Sequence, residues 1–349
     1  MDVASLFSGC GGLDLGFRQA GFNIVFANEH DRSIWETYEF NHPHTKLDRR
    51  DIRNILSKDI PDCIGIVGGP PCQSWSEAGA RRGIGDNRGL LFYDYIRIVK
   101  DKQPLFFLAE NVRGILAERH VIAFTNILNQ FRKIGYNVSY KLLNANDFYT
   151  PQDRKRVIIV GYHQSMGKHF KFPKANSSKL SLKDAIWDLS SIEPKKIKDK
   201  LDGNFHQIPN HEYLDSRYSS IYMSRNRVRM WQEPSFTIQA GGRHAPIHPQ
   251  ANKMIKVKKD KRIFDPNSPK PYRRLSVREC ARIQAFPDSF ILKYEYINHG
   301  YKMIGNAVPV SLAKIIAQKI KTDIERAIEE YNKDFDILDF PKQTSLIFP

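Results

Sequence analysis

LFSGCGGLDLGF, residues 6–17, joins an apolar run to a segment of helical period through Gly9, Gly11 and Gly12. Residues 3–7 read as a buried strand and residues 13–20 as the first helix. The same alternation recurs downstream. Residues 23–27, 63–67 and 105–109 read as strands, and 33–40, 90–100 and 121–133 as helices. Strands alternating with helices predict an α/β fold with a doubly wound, mostly parallel sheet. Two successive strands, 137–143 and 156–162, end the pattern and predict an antiparallel pair at one edge.

In such a sheet a nucleotide-like cofactor binds at the carboxyl ends of the strands. A tight turn would need the same glycines. Glu29 lies twenty residues beyond Gly9, just after the second strand, where an acid can bond ribose hydroxyls. The loop fails as a dinucleotide fingerprint, because Asp14 replaces the third glycine of GxGxxG. A carboxylate near a helix N-terminus opposes a pyrophosphate there. An adenosyl cofactor without phosphates fits better: S-adenosyl-L-methionine, with Asp51 toward its adenine amino group.

The 349 residues carry 54 Lys and Arg against 38 Asp and Glu, a net charge of +16. Such an excess suits a polyanion, either nucleic acid or an anionic membrane surface. No apolar stretch reaches membrane-spanning length and no basic amphipathic helix stands out, which removes the membrane class. The opening MDVASLFSGCGG lacks a basic and an apolar leader region, so a reduced, cytoplasmic protein is expected. Cys10, Cys63, Cys72 and Cys280 are too scattered for a disulfide framework or zinc site, and no metal is expected.

Residues 165–272 hold 21 Lys and Arg against 10 Asp and Glu, in weakly periodic sequence rich in Pro, Asn, Ser and His. That texture marks a separate lobe, either anion-facing or merely solvated. Order returns at 273–349. Ser276 with Glu279 forms a capping-box pattern opening a helix that runs to Pro287. Leu312, Ile316, Ile320, Ile324 and Ile328 stripe a last helix that has to dock on the first domain. Three regions follow: 1–164, 165–272 and 273–349.

VGGPPCQSWS, residues 67–76, sets Cys72 on a stiff turn just past a strand. Most free cysteines are small buried hydrophobes, and position alone leaves that reading open. Glu110, in FFLAENV, also falls just past an apolar strand. If those strands are neighbours, thiol and carboxyl share one crevice with the glycine loop. Carbon 5 of cytosine is too poor a nucleophile to take a methyl group directly. Thiolate addition at carbon 6, with ring nitrogen 3 protonated, makes an enamine whose carbon 5 can. A thiol of pKa ~8.5 is mostly protonated at neutral pH, and Arg154 or Arg156 nearby would favour its ionisation.

LFSGCGGLDLGF, GGPPCQSWS, AENV, QDRKRV, RRLSVRECARIQAFPDSF and YKMIGNAVPV occur in the order and spacing of bacterial DNA (cytosine-5) methyltransferases. The chain resembles that family over nearly its whole length. The resemblance implies the Rossmann-like fold of S-adenosylmethionine-dependent methyltransferases, with the basic lobe as target-recognition domain. It implies Cys72 as nucleophile, Glu110 as the acid at nitrogen 3, Asn111 as brace of the loop and Ser76 within the catalytic loop. Arg154 and Arg156 would contact the flipped cytidine and its phosphate. Cofactor contacts would come from Phe7, Gly9, Gly11, Gly12, Leu13, Glu29, His30, Asp51, Ile52, Pro71 and Leu91, with Asn306 and Val308 from the C-terminal segment. Ser5 and His30 stand where the family often has Asp and Trp, two departures that bear on adenine packing.

Within the lobe, IYMSRNRVRMWQEPSFTIQAGG and HPQA resemble the HaeIII-type branch, whose targets are short palindromes beginning GG. Arg225, Arg227 and Arg243, with Gln239, match its base-reading positions. An arginine fork on guanine O6 and N7 is the commonest base-specific contact; phosphate positioning is the alternative. His244-Ala245-Pro246 departs from the branch, so GGCC leads with GGNCC and GGWCC close behind. The lysines of KVKKDK, residues 256–261, would bind phosphates. The implied partner is double-stranded DNA, bound by a monomer, with a restriction endonuclease acting on the same site. A tRNA cytosine-5 methyltransferase would need the same catalytic residues, but its target insert is usually shorter and lacks the SRNR and TIQAGG texture. A catalytically silent DNA-binding relative would have lost the thiol or the acid, and both are present.

Overall fold

The structure, a computed structural model, describes residues 1–71, 91–202 and 207–335. Seven strands form its main sheet: β1 (Asp2–Leu6), β2 (Asn23–Asn28), β3 (Lys46–Asp48), β4 (Gly65–Gly68), β5 (Phe106–Val112), β6 (Tyr136–Asn144) and β7 (Lys155–His163). They lie in the order β3-β2-β1-β4-β5-β7-β6. The first five are parallel, and β7 runs antiparallel to both β5 and β6. The expected edge pair is therefore present. Strand order reverses between β1 and β4, which opens a crevice at their carboxyl ends.

Covering both faces is what makes these strands apolar throughout. Successive residues of β5 split between the two sides: Phe106 and Leu108 face one core, Phe107 and Ala109 the other. The first core is closed by α1 (Gly12–Gln19) and α8 (Val310–Phe335), the second by α3 (Leu91–Lys102) and α4 (Val121–Lys133), while the short α2 (Trp35–Asn41) links β2 to β3. The isoleucine stripe of α8 docks as expected, with Leu312, Ile316, Ile320 and Ile324 all buried. Each such side chain stabilises by about 1.5–3 kcal/mol. Close approach of α1 and α8 depends on Gly16, where a Cβ would lie 2.4 Å from that of Ala313.

Several boundaries differ from the sequence reading. β5 was expected to end at Ala109 but runs to Val112, because β7 supplies an antiparallel partner for every residue from 106 onward. Cys63 precedes its strand, which starts at Gly65. The helix expected to reach Pro287 is α6 (Val277–Ile283); Ala285 adopts φ +61° and turns the chain. β3, three residues long, and α7 (Ile297–Asn306), interrupted by Asn, His and Gly, carry too little periodic pattern to be seen. The expected start of α3 at residue 90 lies outside the described residues.

The lobe is irregular by comparison. Its strands β8 (Lys195–Ile197), β9 (Glu212–Leu214), β10 (Ile255–Lys258) and β11 (Lys261–Ile263) have three or four residues each, and α5 (Leu182–Ile186) has five. Its apolar residues Leu182, Leu214 and Ile238 share one core with Val277, Ile283, Tyr301 and Ile304 of the following segment. Cys10 and Cys280 are buried in this core as packing residues. No helix of the described residues is long and apolar enough to cross a membrane.

Candidate active site

At the carboxyl ends of β1 and β2 the backbone folds back on itself. Phe7 and Gly9 both take φ +55° and Gly11 +88°, so the loop curls over the strand ends. The Gly9 N–H donates to Glu29 Oε2 at 2.9 Å, and the Asp31 N–H donates to Oε1 at 2.8 Å. Burial raises the Glu29 pKa, and those two N–H groups oppose the rise. A Cβ on Gly9 would meet nothing within 4 Å, whereas one on Gly11 would strike His42 and one on Gly12 the Val308 carbonyl. Gly9 borders open space; Gly11 and Gly12 are there for packing.

A cavity of about 690 Å³ opens at this point. Phe7, Gly9, Leu13, Glu29, His30, Asp51, Ile52, Pro71, Leu91, Asn306 and Val308 line it, together with Glu110, Asn111, Arg154 and Arg156. The structure therefore gathers every expected cofactor residue except Gly11 and Gly12, and all the expected catalytic residues it describes. Cys72 and Ser76 lie outside the described residues. Asp51 also accepts from the Arg53 guanidinium and backbone N–H, which hold its carboxyl down to about 2. Asp14 is buried in the domain instead of facing a ligand. Its carboxylate accepts from Ser5 Oγ and Tyr38 Oη at 2.6 Å each, and burial pushes it up to about 6.

The Glu110 side of the cavity is set by strand register. β4 pairs with β5 only as far as Gly68 opposite Ala109, so Glu110 lies beyond the end of β4 although inside its own strand. Glu110 stands opposite Ile158 of β7, which makes Arg156 its diagonal neighbour on the same face. Arg156 Nε sits 2.8 Å from Glu110 Oε1. Glu110 Oε2 lies 3.5 Å from where a Cβ on Gly69 would be, so the missing side chain leaves that oxygen uncovered. Asn111 Nδ2 donates to the Pro70 carbonyl at 3.3 Å, two residues before Cys72.

Arg154 does something else. Its Nη1 donates to the Ile238 carbonyl, and its Nη2 to the carbonyls of Gly305 and Ala307, at 2.8–3.0 Å. The residue is 1 % exposed, and its guanidinium clamps the 238 and 305–307 segments together at the cavity wall. Gly305 permits this, since a Cβ there would lie 2.3 Å from the Gln239 backbone. The sequence reading overlooked Lys302 and Asp31, which both line the cavity and form an ion pair with each other. Asp31, two residues past Glu29, and Lys302, inside YKMIGN, were the available signals.

The model of C-5 cytosine-specific DNA methylases matches residues 1–322. The chain belongs to that family. The methylase is 59 % identical over 325 residues to the Type II methyltransferase M.MthTI of Methanothermobacter thermautotrophicus, covering 93 % of this chain and 98 % of that one. It is 52 % identical over 332 residues to M.NgoPII of Neisseria gonorrhoeae, covering 93 % and 97 %. A crystal structure of a putative DNA modification methyltransferase encoded within an E. coli prophage superposes with a TM-score of 0.70 at 25 % identity, over 93 % of this chain and 99 % of that one. The protein is thus a DNA (cytosine-5) methyltransferase of the restriction-modification type, with the sheet of S-adenosylmethionine-dependent methyltransferases.

In the methylase's lobe, Arg225 and Arg243 are exposed and have no hydrogen-bond or ion-pair partner among the described residues. Arg227 is half-buried, its Nε donating to the Tyr222 carbonyl at 2.9 Å and its plane over the Tyr222 ring at 4.7 Å. Gln239 has an exposed side chain, while its carbonyl accepts from the Gly241 N–H. Arg229, between these positions, is bound to Asp153.

Proposed function

We propose that the methylase binds S-adenosyl-L-methionine in the 690 Å³ cavity and methylates C5 of a cytosine swung out of a short GG-initiated palindrome, GGCC first, in the manner of the HaeIII-type branch. The supporting observation is that Glu110, held by Arg156, opens onto the same cavity as the Gly9–Glu29 loop. The residues suit that cofactor: the Glu29 carboxylate for ribose hydroxyls, Phe7, Ile52 and Leu91 as apolar walls for a purine, and Asp51 for an amino group. When bound, the cofactor supplies an electrophilic methyl group. Everything else falls to the chain. Asn111 bonds the Pro70 carbonyl and so steadies the chain two residues before Cys72. The Cys72 thiolate adds at cytosine C6 while the Glu110 carboxyl holds the proton at N3, and electron density passes to C5. Once C5 is methylated its proton is lost to a base, C5=C6 re-forms and the thiolate is expelled. Extruding the base costs a few kcal/mol, so a mismatched target cytosine should bind more tightly than a paired one at equal salt.

Exposed Arg225 and Arg243 suit guanine forks, and a companion endonuclease would cut the same sequence. Bisulfite sequencing of DNA from cells expressing the protein tests chemistry and target together. One protected cytosine in every GGCC is the expected result. Protection at GGNCC or GGWCC alone would replace the target sequence, and no protection at all would overturn the reading.

A further inference from the structure

Residues 255–263 fold into an exposed two-stranded ribbon, β10 and β11, that the catalytic cavity does not use. Its nine positions hold five basic residues, Lys256, Lys258, Lys259, Lys261 and Arg262, against one acid, Asp260. None of the four lysine side-chain amines has an ion-pair or hydrogen-bond partner among the described residues. Beside this charge lie uncovered apolar side chains: Ile255 and Ile263, a cross-strand pair, are each 42 % exposed, and Val257 is 53 % exposed. An isolated hairpin is marginal in water, so something has to hold this one in place.

The root of the ribbon supplies the answer. Met254 and Phe264, which flank it, belong to a small core with Tyr222 and Val228. The Met254 N–H donates to Asn226 Oδ1 at 3.0 Å, and Arg262 Nη1 donates to the Met254 carbonyl at 3.2 Å. Asn226 stands between Arg225 and Arg227, so one side chain locks the ribbon to the arginine segment. A cationic surface with apolar side chains interleaved complements the DNA backbone, which alternates phosphates with apolar sugar edges. Protein aimed at bases needs directed donors; lysines and isoleucines do not supply them.

We propose that this ribbon grips the sugar–phosphate backbone of duplex DNA flanking the target, outside the recognised bases, at a position fixed through Asn226. This rests on the lobe's facing DNA, as proposed above. A four-residue strand is roughly 13 Å long and so covers about four base pairs of contour. Affinity should therefore grow with flanking length in a way that owes nothing to sequence.

The test compares two cognate duplexes, one ending close to the target and one extended by about ten base pairs on each side, each titrated across a salt series. Lys258→Gln, Lys259→Gln and Lys261→Gln together should remove the extra affinity of the long duplex and flatten its salt slope by about one unit for each phosphate no longer neutralised. Binding to the short duplex, base discrimination and thermal melting should stay at wild-type values. Ile255→Ser with Ile263→Ser should weaken long-duplex binding without changing the salt slope. An unchanged long-duplex slope in the lysine variant overturns the proposal, as does equal weakening on both duplexes. A protein dimer that the isoleucine variant dissolves would assign the ribbon to self-association instead. Bisulfite protection by the wild-type enzyme is read alongside. If protection persists while the ribbon variant binds normally, only the ribbon assignment falls; if it is absent, the catalytic reading falls first.

Discussion

Asp14 in the sheet domain and Glu279 in α6, the helix that shares the lobe's core, are both fully buried carboxylates, yet they move in opposite directions. Burial raises both. Asp14 is held by the hydroxyls of Ser5 and Tyr38, with the Arg18 charge a lesser influence, and stays up at about 6. Glu279 meets the Arg273 guanidinium in a two-pronged pair at 2.8 Å, with His248 beside it, and is carried down to about 2. The contrast extends to the regions around them. The sheet domain satisfies its backbone with strand ladders and fills its faces with apolar side chains. The lobe has few ladders, so its buried carbonyls need other donors.

Buried arginines provide them. Arg274 donates to the carbonyls of Leu214, Ser216 and Arg217, and Arg278 to those of Pro209, Pro287 and Phe290. With Arg154 these are among the largest fully buried side chains in the protein. Guanidinium, with five donors and no acceptor, suits a chain that leaves carbonyls stranded. Part of the basic excess is therefore internal scaffolding and never faces DNA.

The largest expected effect separates chemistry from scaffolding. Cys72→Ala should abolish methyl transfer and the denaturation-stable adduct with 5-fluorocytosine DNA, in which fluorine blocks release of the enzyme. Its melting temperature should remain that of the wild type. An adduct of equal yield would assign the nucleophile elsewhere.

Next comes the buried ion pair of Arg273 and Glu279. Glu279→Gln strands a buried Arg273 and should cost about 3–5 kcal/mol at pH 7, read by chemical denaturation. Because folding lowers the Glu279 pKa from 4.5 to about 2, its contribution is complete above 4.5 and lost as pH falls toward 2. The penalty should shrink across that window. A penalty independent of pH would mean that packing, not charge, is what Glu279 supplies.

Asp14→Asn should do the reverse and stabilise. The folded protein holds the Asp14 proton more tightly than the unfolded chain, so ionisation costs stability as pH rises from 3.8 through about 6. Removing the charge should recover at most roughly 3 kcal/mol above pH 6 and nothing below pH 3.8. Destabilisation at pH 7 would show that the two hydroxyl bonds outweigh the buried charge.

Smaller effects probe the seam and the surface. Gly305→Ala forces a Cβ to within 2.3 Å of the Gln239 backbone, and should cost about 1–3 kcal/mol of stability. Arg243→Ala touches no internal partner and should leave stability within about 0.5 kcal/mol. It should cost about 1–3 kcal/mol in cognate binding and relax discrimination at one base pair. Uniform weakening on every duplex would make Arg243 a phosphate contact.

Local pattern determined the parallel sheet, the glycine loop over its switch point and the docking of the last helix, because period-2 and period-3.6 burial is written in neighbouring residues. The motif positions likewise marked Glu29, Glu110, Asn111 and the C-terminal Val308 as one site before any geometry was known. Tertiary structure alone decided what those residues touch. That Arg156 reaches Glu110 follows from the β5–β7 register, which no local signal carries. That Arg154, two residues earlier, turns away to carbonyls at 238, 305 and 307 depends on chain segments more than eighty residues distant. Charge in a sequence counts cations without saying which face water. Only packing separates the arginines that hold the lobe together from those it presents outward, because a stranded carbonyl exists only once the fold has stranded it.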